Sequence, residues 1–275
     1  MPESSCAAAD PPRDPPPPTT SWAPLPGIAR AETSSHPLIL GASPGTTGTM
    51  SLYYALMALG VSAVHYSRQF NATAGSEVTS YADGGGPVPL LRPIFSYGQW
   101  VPGKAPPPVD LGALRSLDLR FLSATDALLD TPAMEVFFDA LATFPEARVV
   151  ITAREPRVWA ESRRVRHPTD RAPLFPLLGF DVPMGALSAD QSAMSLALWH
   201  RAVAASVPPE RLLVLDVFSM DDDELWRKLS AFVGRSLPPR DPATGLLPKF
   251  PHMRYGEDVP TVGTRAPSEA SDGFQ

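Results

Sequence analysis

The sequence predicts an α/β fold of three layers, with a central, mostly parallel sheet of about five strands flanked by helices. Three observations predict it. Short apolar runs at 38–40, 63–66, 127–129, 148–152 and 212–217 lack strict alternation, which marks strands covered on both faces. Helical patterns fall between these runs. Strand–helix alternation of this kind gives right-handed crossovers, and ligands then sit beyond the carboxyl ends of the strands.

Residues 1–36 are rich in Pro, Ala, Ser and Thr, with proline at every position from 15 to 18. They have too little apolar periodicity to fold and are expected to be disordered. A folded domain is expected over 37–255 and a disordered tail over 256–275. After the first strand, Met50 to Leu59 is apolar nearly all round, the pattern of a buried helix, with Gly60 as its stop. Thr131-Pro132 reads as a cap with proline at the first helical position, before a face of Met134, Phe137, Phe138 and Leu141. Glu155-Pro156 opens a helix carrying Trp159 and Ser162. Ser188 to Gln191 has capping-box form ahead of Met194, Ala197 and Leu198. Asp221 to Asp223 start a last helix with Leu225, Leu229, Phe232 and Val233 inward and Gly234 at its end. Residues 67–118 show no convincing periodicity and read as an irregular insertion or a lid.

With 275 residues the chain can bury a sizeable core. Its 23 basic and 29 acidic residues give a net charge of −6, which argues against a general nucleic-acid or anionic-membrane binder. Lysine occurs only at 104, 228 and 249, so most positive charge is arginine, the better fork for phosphate or sulfate. One cysteine, Cys6, excludes a disulfide framework or zinc cluster, and no metal is expected. No apolar run reaches membrane-spanning length, so a cytoplasmic protein is expected. Targeting by the N-terminal segment stays open, although Glu3, Asp10 and Asp14 are unlike an acid-poor transit peptide.

The stretch from Leu38 to Leu52 reads as strand, hydroxyl-rich loop, then helix. Such a loop leaves N–H groups free at a helix N-terminus, where the dipole favours an anion. Walker A spacing fails, because Ser43 stands where a glycine is required and Thr49 where the lysine is. Gly41, Gly45 and Gly48 also miss the dinucleotide fingerprint.

Thr46-Thr47-Gly48-Thr49-Met50-Ser51-Leu52 resembles the 5′-phosphosulfate loop of the PAPS-dependent sulfotransferases (PAPS is 3′-phosphoadenosine 5′-phosphosulfate), one branch of which carries Arg-Thr-Gly-Thr-Thr-Ser-Leu. Val149 to Ser162 is similar to the family's 3′-phosphate segment: Arg154 at a strand end, an Arg-acid-Pro turn, a tryptophan, and a serine 8 residues after the arginine. Residues 126–132 with Phe144-Pro145-Glu146-Ala147-Arg148, and Lys249-Phe250-Pro251-His252-Met253-Arg254, extend the resemblance over nearly all of 37–255.

The resemblance implies a P-loop NTPase-like sulfotransferase fold and in-line transfer of a sulfuryl group from PAPS, as co-substrate, to a hydroxyl or amine of a small-molecule or glycan acceptor. Backbone N–H groups of Thr47, Gly48, Thr49 and Met50, with the hydroxyls of Thr46, Thr47, Thr49 and Ser51, would hold the 5′-phosphosulfate. Arg154 and Ser162 would hold the 3′-phosphate, with Lys249 or Arg254 closing over it. Trp159 is either core or an adenine contact. Thr46 stands where family members place Arg or Lys, leaving His65, Arg68 or Lys104 to fill that role. A base is also required for the acceptor's proton. His65, at the end of the second strand, ranks first and Asp130, at the end of the third, second; His200 and His252 rank below them. His65 also reads as a core histidine and Asp130 as a helix cap. The other readings are a catalytically silent PAP/PAPS-binding protein of the same fold (PAP is adenosine 3′,5′-bisphosphate) and a P-loop nucleotide hydrolase or kinase, which the lysine-free loop disfavours. The sequence does not indicate an oligomeric state.

Overall fold

A computed structural model describes residues 38–66, 68–79, 88–91, 94, 118–131, 133–169 and 183–253. Seven strands form one sheet: β1 (Ile39–Gly41), β2 (Ala63–His65), β3 (Arg68–Asn71), β4 (Ser76–Thr79), β5 (Ala127–Leu129), β6 (Arg148–Thr152) and β7 (Leu212–Leu215), in the order β4-β3-β2-β5-β1-β6-β7. The five expected strands are the parallel ones, β2-β5-β1-β6-β7. The remaining pair is a correction to the reading of 67–118 as irregular. It starts with the antiparallel hairpin β3–β4, turned by Asn71, whose Oδ1 accepts the N–H groups of Thr73 and Ala74. These strands are polar and sit at the sheet edge, so they carry no apolar run to read. Tyr81, Tyr97, Trp100 and Lys104 lie outside the described residues.

Among the described residues, five α-helices flank the sheet: α1 (Thr49–Ala58), α2 (Phe137–Thr143), α3 (Pro156–Arg166), α4 (Ala189–Ser206) and α5 (Asp222–Val233). The strands alternate between two cores. Leu40, Val64, Leu128, Val149 and Ile151 face Phe137 of α2 and Trp199 of α4. Ile39, Ala63, Leu129, Val150 and Leu215 face Leu52 and Leu56 of α1 and Leu225 and Leu229 of α5. Both strand faces are thus buried, which is why the runs are apolar throughout. A smaller cluster of Trp159, Ala160, Met184 and Leu196 joins α3 to α4.

Local capping follows the sequence where side chains are specific. Glu155 caps α3 by accepting from Arg157 and Val158 N–H, with Pro156 at its first position. Ser188 and Gln191 form the capping box of α4, and Asp221 caps α5. Two helix expectations are corrected. α2 starts at Phe137, not after Thr131: Val136 is its N-cap and makes no side-chain bond, while 133–136 are a turn. On α4 the buried face is Leu196, Trp199 and Val203, whereas Met194 and Leu198 are exposed. The alanine-rich helix gives little periodic contrast, and the bulky indole sets the orientation instead.

Candidate active site at the carboxyl edge of the sheet

The turn from β1 into α1 is held from below by its neighbours. The Trp199 indole N–H donates to Ala42 O (2.6 Å), the Trp159 indole N–H to Gly45 O (3.0 Å) and Arg154 Nη1 to Thr46 O (2.7 Å). Trp159 is fully buried, so its indole is a core tether of the loop. Thr47 Oγ1 donates to Pro44 O (2.6 Å) and lies 2.9 Å from Thr152 Oγ1, which therefore donates to it. With its proton spent internally, Thr47 offers an anion its backbone N–H alone.

Thr46 (φ 69°) and Gly48 (φ 99°) are left-handed, and no side chain caps α1. The first N–H groups of α1 are therefore open to a ligand. Among the described hydroxyls of this loop, Thr46 Oγ1 is the buried one without a partner. This orphaned donor, the left-handed turn and the uncapped helix fit a 5′-phosphosulfate. A Cβ on Gly48 would clash with Val217 Cγ2. Gly48→Ala is therefore expected to lower stability by about 2–3 kcal/mol through backbone strain and overpacking, read from the urea midpoint. An unchanged midpoint would contradict this packing.

Arg154 stands just beyond β6, half-buried, with its guanidinium 4.6 Å from the centre of the exposed Phe218 ring. Burial, and second the neighbouring Arg166, push its pKa below the ordinary value. Both causes disfavour its charge, and an anion would relieve them. Ser162 is half-buried two turns into α3. Ser51 Oγ accepts the Met253 N–H (3.1 Å), which draws the 249–253 segment to α1; Lys249 is exposed there, and Arg254 lies outside the described residues. Met50 is half-buried in the first turn of α1.

The two expected bases meet. β2 and β5 pair with His65 beside Leu129, so Asp130, one residue on, reaches the imidazole: His65 Nε2 is 3.2 Å from Asp130 Oδ2 and 3.0 Å from Thr49 Oγ1. Thr49 Oγ1 also donates to Asp130 Oδ2 (3.4 Å). Burial lowers the His65 pKa, against the opposing pull of the Asp130 carboxylate. His65 Nε2 thus sits between a carboxylate and a hydroxyl, while Nδ1 is buried without a partner. Asp130 holds a left-handed backbone (φ 61°), a conformation that persists where structure around it over-determines it. Its side chain is 13% exposed against 5% for His65, so Asp130 is the more accessible member.

The lower-ranked histidines are placed elsewhere. His252 binds Asp222 (2.6 Å) at the surface. His200 Nε2 lies 3.3 Å from Ser43 Oγ, which also accepts the Thr152 N–H. Burial pushes the His200 pKa down to about 4 from 6.5. The unfolded chain therefore binds a proton that the folded protein refuses, and stability falls as pH drops from 6.5 towards 4. At pH 5 this loss is about 2 kcal/mol, and His200→Gln is expected to remove it, measured as urea stability at pH 7 and pH 5. Equal pH slopes in the two proteins would contradict the assignment.

Of the side chains considered as the loop's cation, Arg68 is paired with Glu77 (3.2 Å) and lies over Tyr54. The sequence reading missed two residues at this edge, Phe218 and Arg163. Arg163 is buried on α3, and a Cβ added to Gly45 would meet its Nη1 at 2.5 Å and both Asp130 carboxylate oxygens at 3.3 Å. The run Arg163-Arg164-Val165-Arg166 reads as a solvated helix end, and only the glycine at 45 hinted at a close approach.

Among the described residues, no helix is long and apolar enough to cross a membrane, and no group of three or more His, Cys, Asp or Glu could hold a metal ion. A family model described as a sulfotransferase domain matches residues 38–182, more than half of the chain. Among solved structures, the chain is similar to the sulfotransferase STF9 from Mycobacterium avium, with 14% identity and a TM-score of 0.41. That match covers 75% of this chain and 65% of the other, so it spans less than two thirds of that protein. No curated protein matches the sequence.

Proposed function

The chain belongs to the sulfotransferase family, and we propose that it transfers a sulfuryl group from PAPS to a hydroxyl or amine of a small-molecule or glycan acceptor. The observation that carries this reading is the contact between its two anion motifs, Arg154 Nη1 on Thr46 O at 2.7 Å. One side of Arg154 organises the loop, and its remaining donors are left for a 3′-phosphate.

PAPS, when bound, supplies the sulfuryl group and the leaving phosphate. Backbone N–H groups of Thr47 to Met50 and the Thr46 hydroxyl hold the 5′ end, and Arg154 and Ser162 hold the 3′ end. Lys249 or Arg254 closes over the 3′-phosphate. Asp130 takes the acceptor's proton as its oxygen or nitrogen forms the bond to sulfur and the bridging S–O bond breaks, with the electron pair leaving on the phosphate. His65 and Thr49 orient Asp130 through the hydrogen bonds described above. This reverses the order given by the sequence, because His65 is the more buried of the two. Catalysis then rests on positioning and charge stabilisation, as in phosphoryl transfer.

The uncharged Thr46 favours a second reading, a protein that binds PAP or PAPS without turnover. Radiolabelled sulfate transfer from PAPS to a panel of alcohols, phenols, sugars and amines separates them. Labelled product that disappears in Asp130→Asn supports the enzyme. PAP binding without product from any acceptor class supports the silent protein.

A further inference from the structure

One face of α3 is turned towards the β1–α1 loop. Trp159 marks it, because its indole N–H donates to Gly45 O. Residues three, four and seven positions apart share a helix face, so Ser162 and Arg166 lie on the same side as Trp159. Arg154 precedes this helix and Arg166 stands in its last turn, which leaves Ser162 between the two arginines along the chain and on the helix.

The charges on this face are unbalanced. Arg157, on another side of α3, pairs with Glu161 (3.8 Å) and Asp190 (3.6 Å). The Glu155 carboxylate is spent on the N–H groups of Arg157 and Val158. Arg166 is exposed and, among the described residues, has no ion pair; Arg154 has none either, with its contacts on Thr46 O and the Phe218 ring. The two guanidinia still feel each other, since Arg166 is the second cause, after burial, that lowers the pKa of Arg154. Two like charges held this way, without a carboxylate, cost free energy until an anion enters. A phosphate monoester carries close to two negative charges at pH 7, more than one guanidinium balances, and Arg154 gives part of its fork to Thr46 O.

We propose that Arg166 is the second cation of the 3′-phosphate site, closing with Arg154 on a phosphate seated over Ser162, and that it sets the preference for a 3′-phosphorylated nucleotide over one with a free 3′-hydroxyl. This rests on the reading of Arg154 and Ser162 as the 3′ site. A basic residue in the last turn also suits the helix dipole, a role that would not depend on the nucleotide offered.

The test is calorimetric titration of the full chain with PAP and with adenosine 5′-monophosphate, which differ only in the 3′-phosphate, at one ionic strength. Arg166→Gln is expected to weaken PAP about five- to tenfold and to leave the monophosphate within about twofold. Arg166→Glu reverses the charge and is expected to weaken PAP further, by about 30-fold or more, again with the monophosphate nearly unchanged. A PAP-to-monophosphate affinity ratio that stays the same in Arg166→Gln, whether both affinities hold or both fall, overturns the proposal. So does Arg166→Glu binding PAP as well as Arg166→Gln does. An unmodified chain that binds PAP no more tightly than the monophosphate overturns the reading of the 3′ site and this proposal together. A preference for PAP that ignores Arg166 overturns this proposal alone.

Discussion

Arg154→Ala is expected to weaken PAP binding about 100-fold, the equivalent of about 2.7 kcal/mol. The loss combines charge-assisted bonds to the 3′-phosphate with loss of the tether on Thr46 O. The second contribution makes alanine worse than a conservative change. Arg154→Lys keeps the charge but not the fork, so it should recover part of the affinity. The Phe218 ring lies against the guanidinium, 4.6 Å from its carbon. Affinity for PAP within about threefold of the unmodified chain would place the 3′-phosphate elsewhere.

Asp130→Asn is expected to reduce sulfuryl transfer about 10²- to 10⁴-fold, the range for loss of a general base, while PAP binding is kept or tightened. The amide preserves the shape of the residue and its capacity to accept from Thr49 and His65. It removes the proton acceptor and, at the same time, a negative charge beside the loop. A separation of binding from turnover is thus the signature of Asp130 as base. Parallel loss of both would mark it as a structural residue. His65→Gln is the companion variant: it acts through Asp130, so it should lower the rate less than Asp130→Asn does.

The fold was legible where physical chemistry writes a strong local signal. Five parallel strands could be read because residues such as Leu40 and Ile39 face opposite cores, leaving each run apolar throughout. β3 and β4 could not, because polar edge strands satisfy their pattern with solvent on one side. Glu155, Ser188 and Asp221 announce their helices through side-chain caps, whereas α2 begins without one. In the site, the loop and the spacing of Arg154 to Ser162 are local and were readable. The meeting of His65 with Asp130 depends on β2 pairing with β5, a strand order that no local pattern encodes. Arg163 was hidden for a related reason: its partner surface, Gly45, lies across the sheet edge and more than a hundred residues away in sequence.

The most direct test of the central claim is calorimetric titration of the unmodified chain with PAP and with Mg-ATP in the same buffer. A loop without a lysine, joined to Arg154, predicts saturable binding of PAP that needs no magnesium, and weaker or no binding of Mg-ATP. Tighter binding of Mg-ATP than of PAP would contradict it.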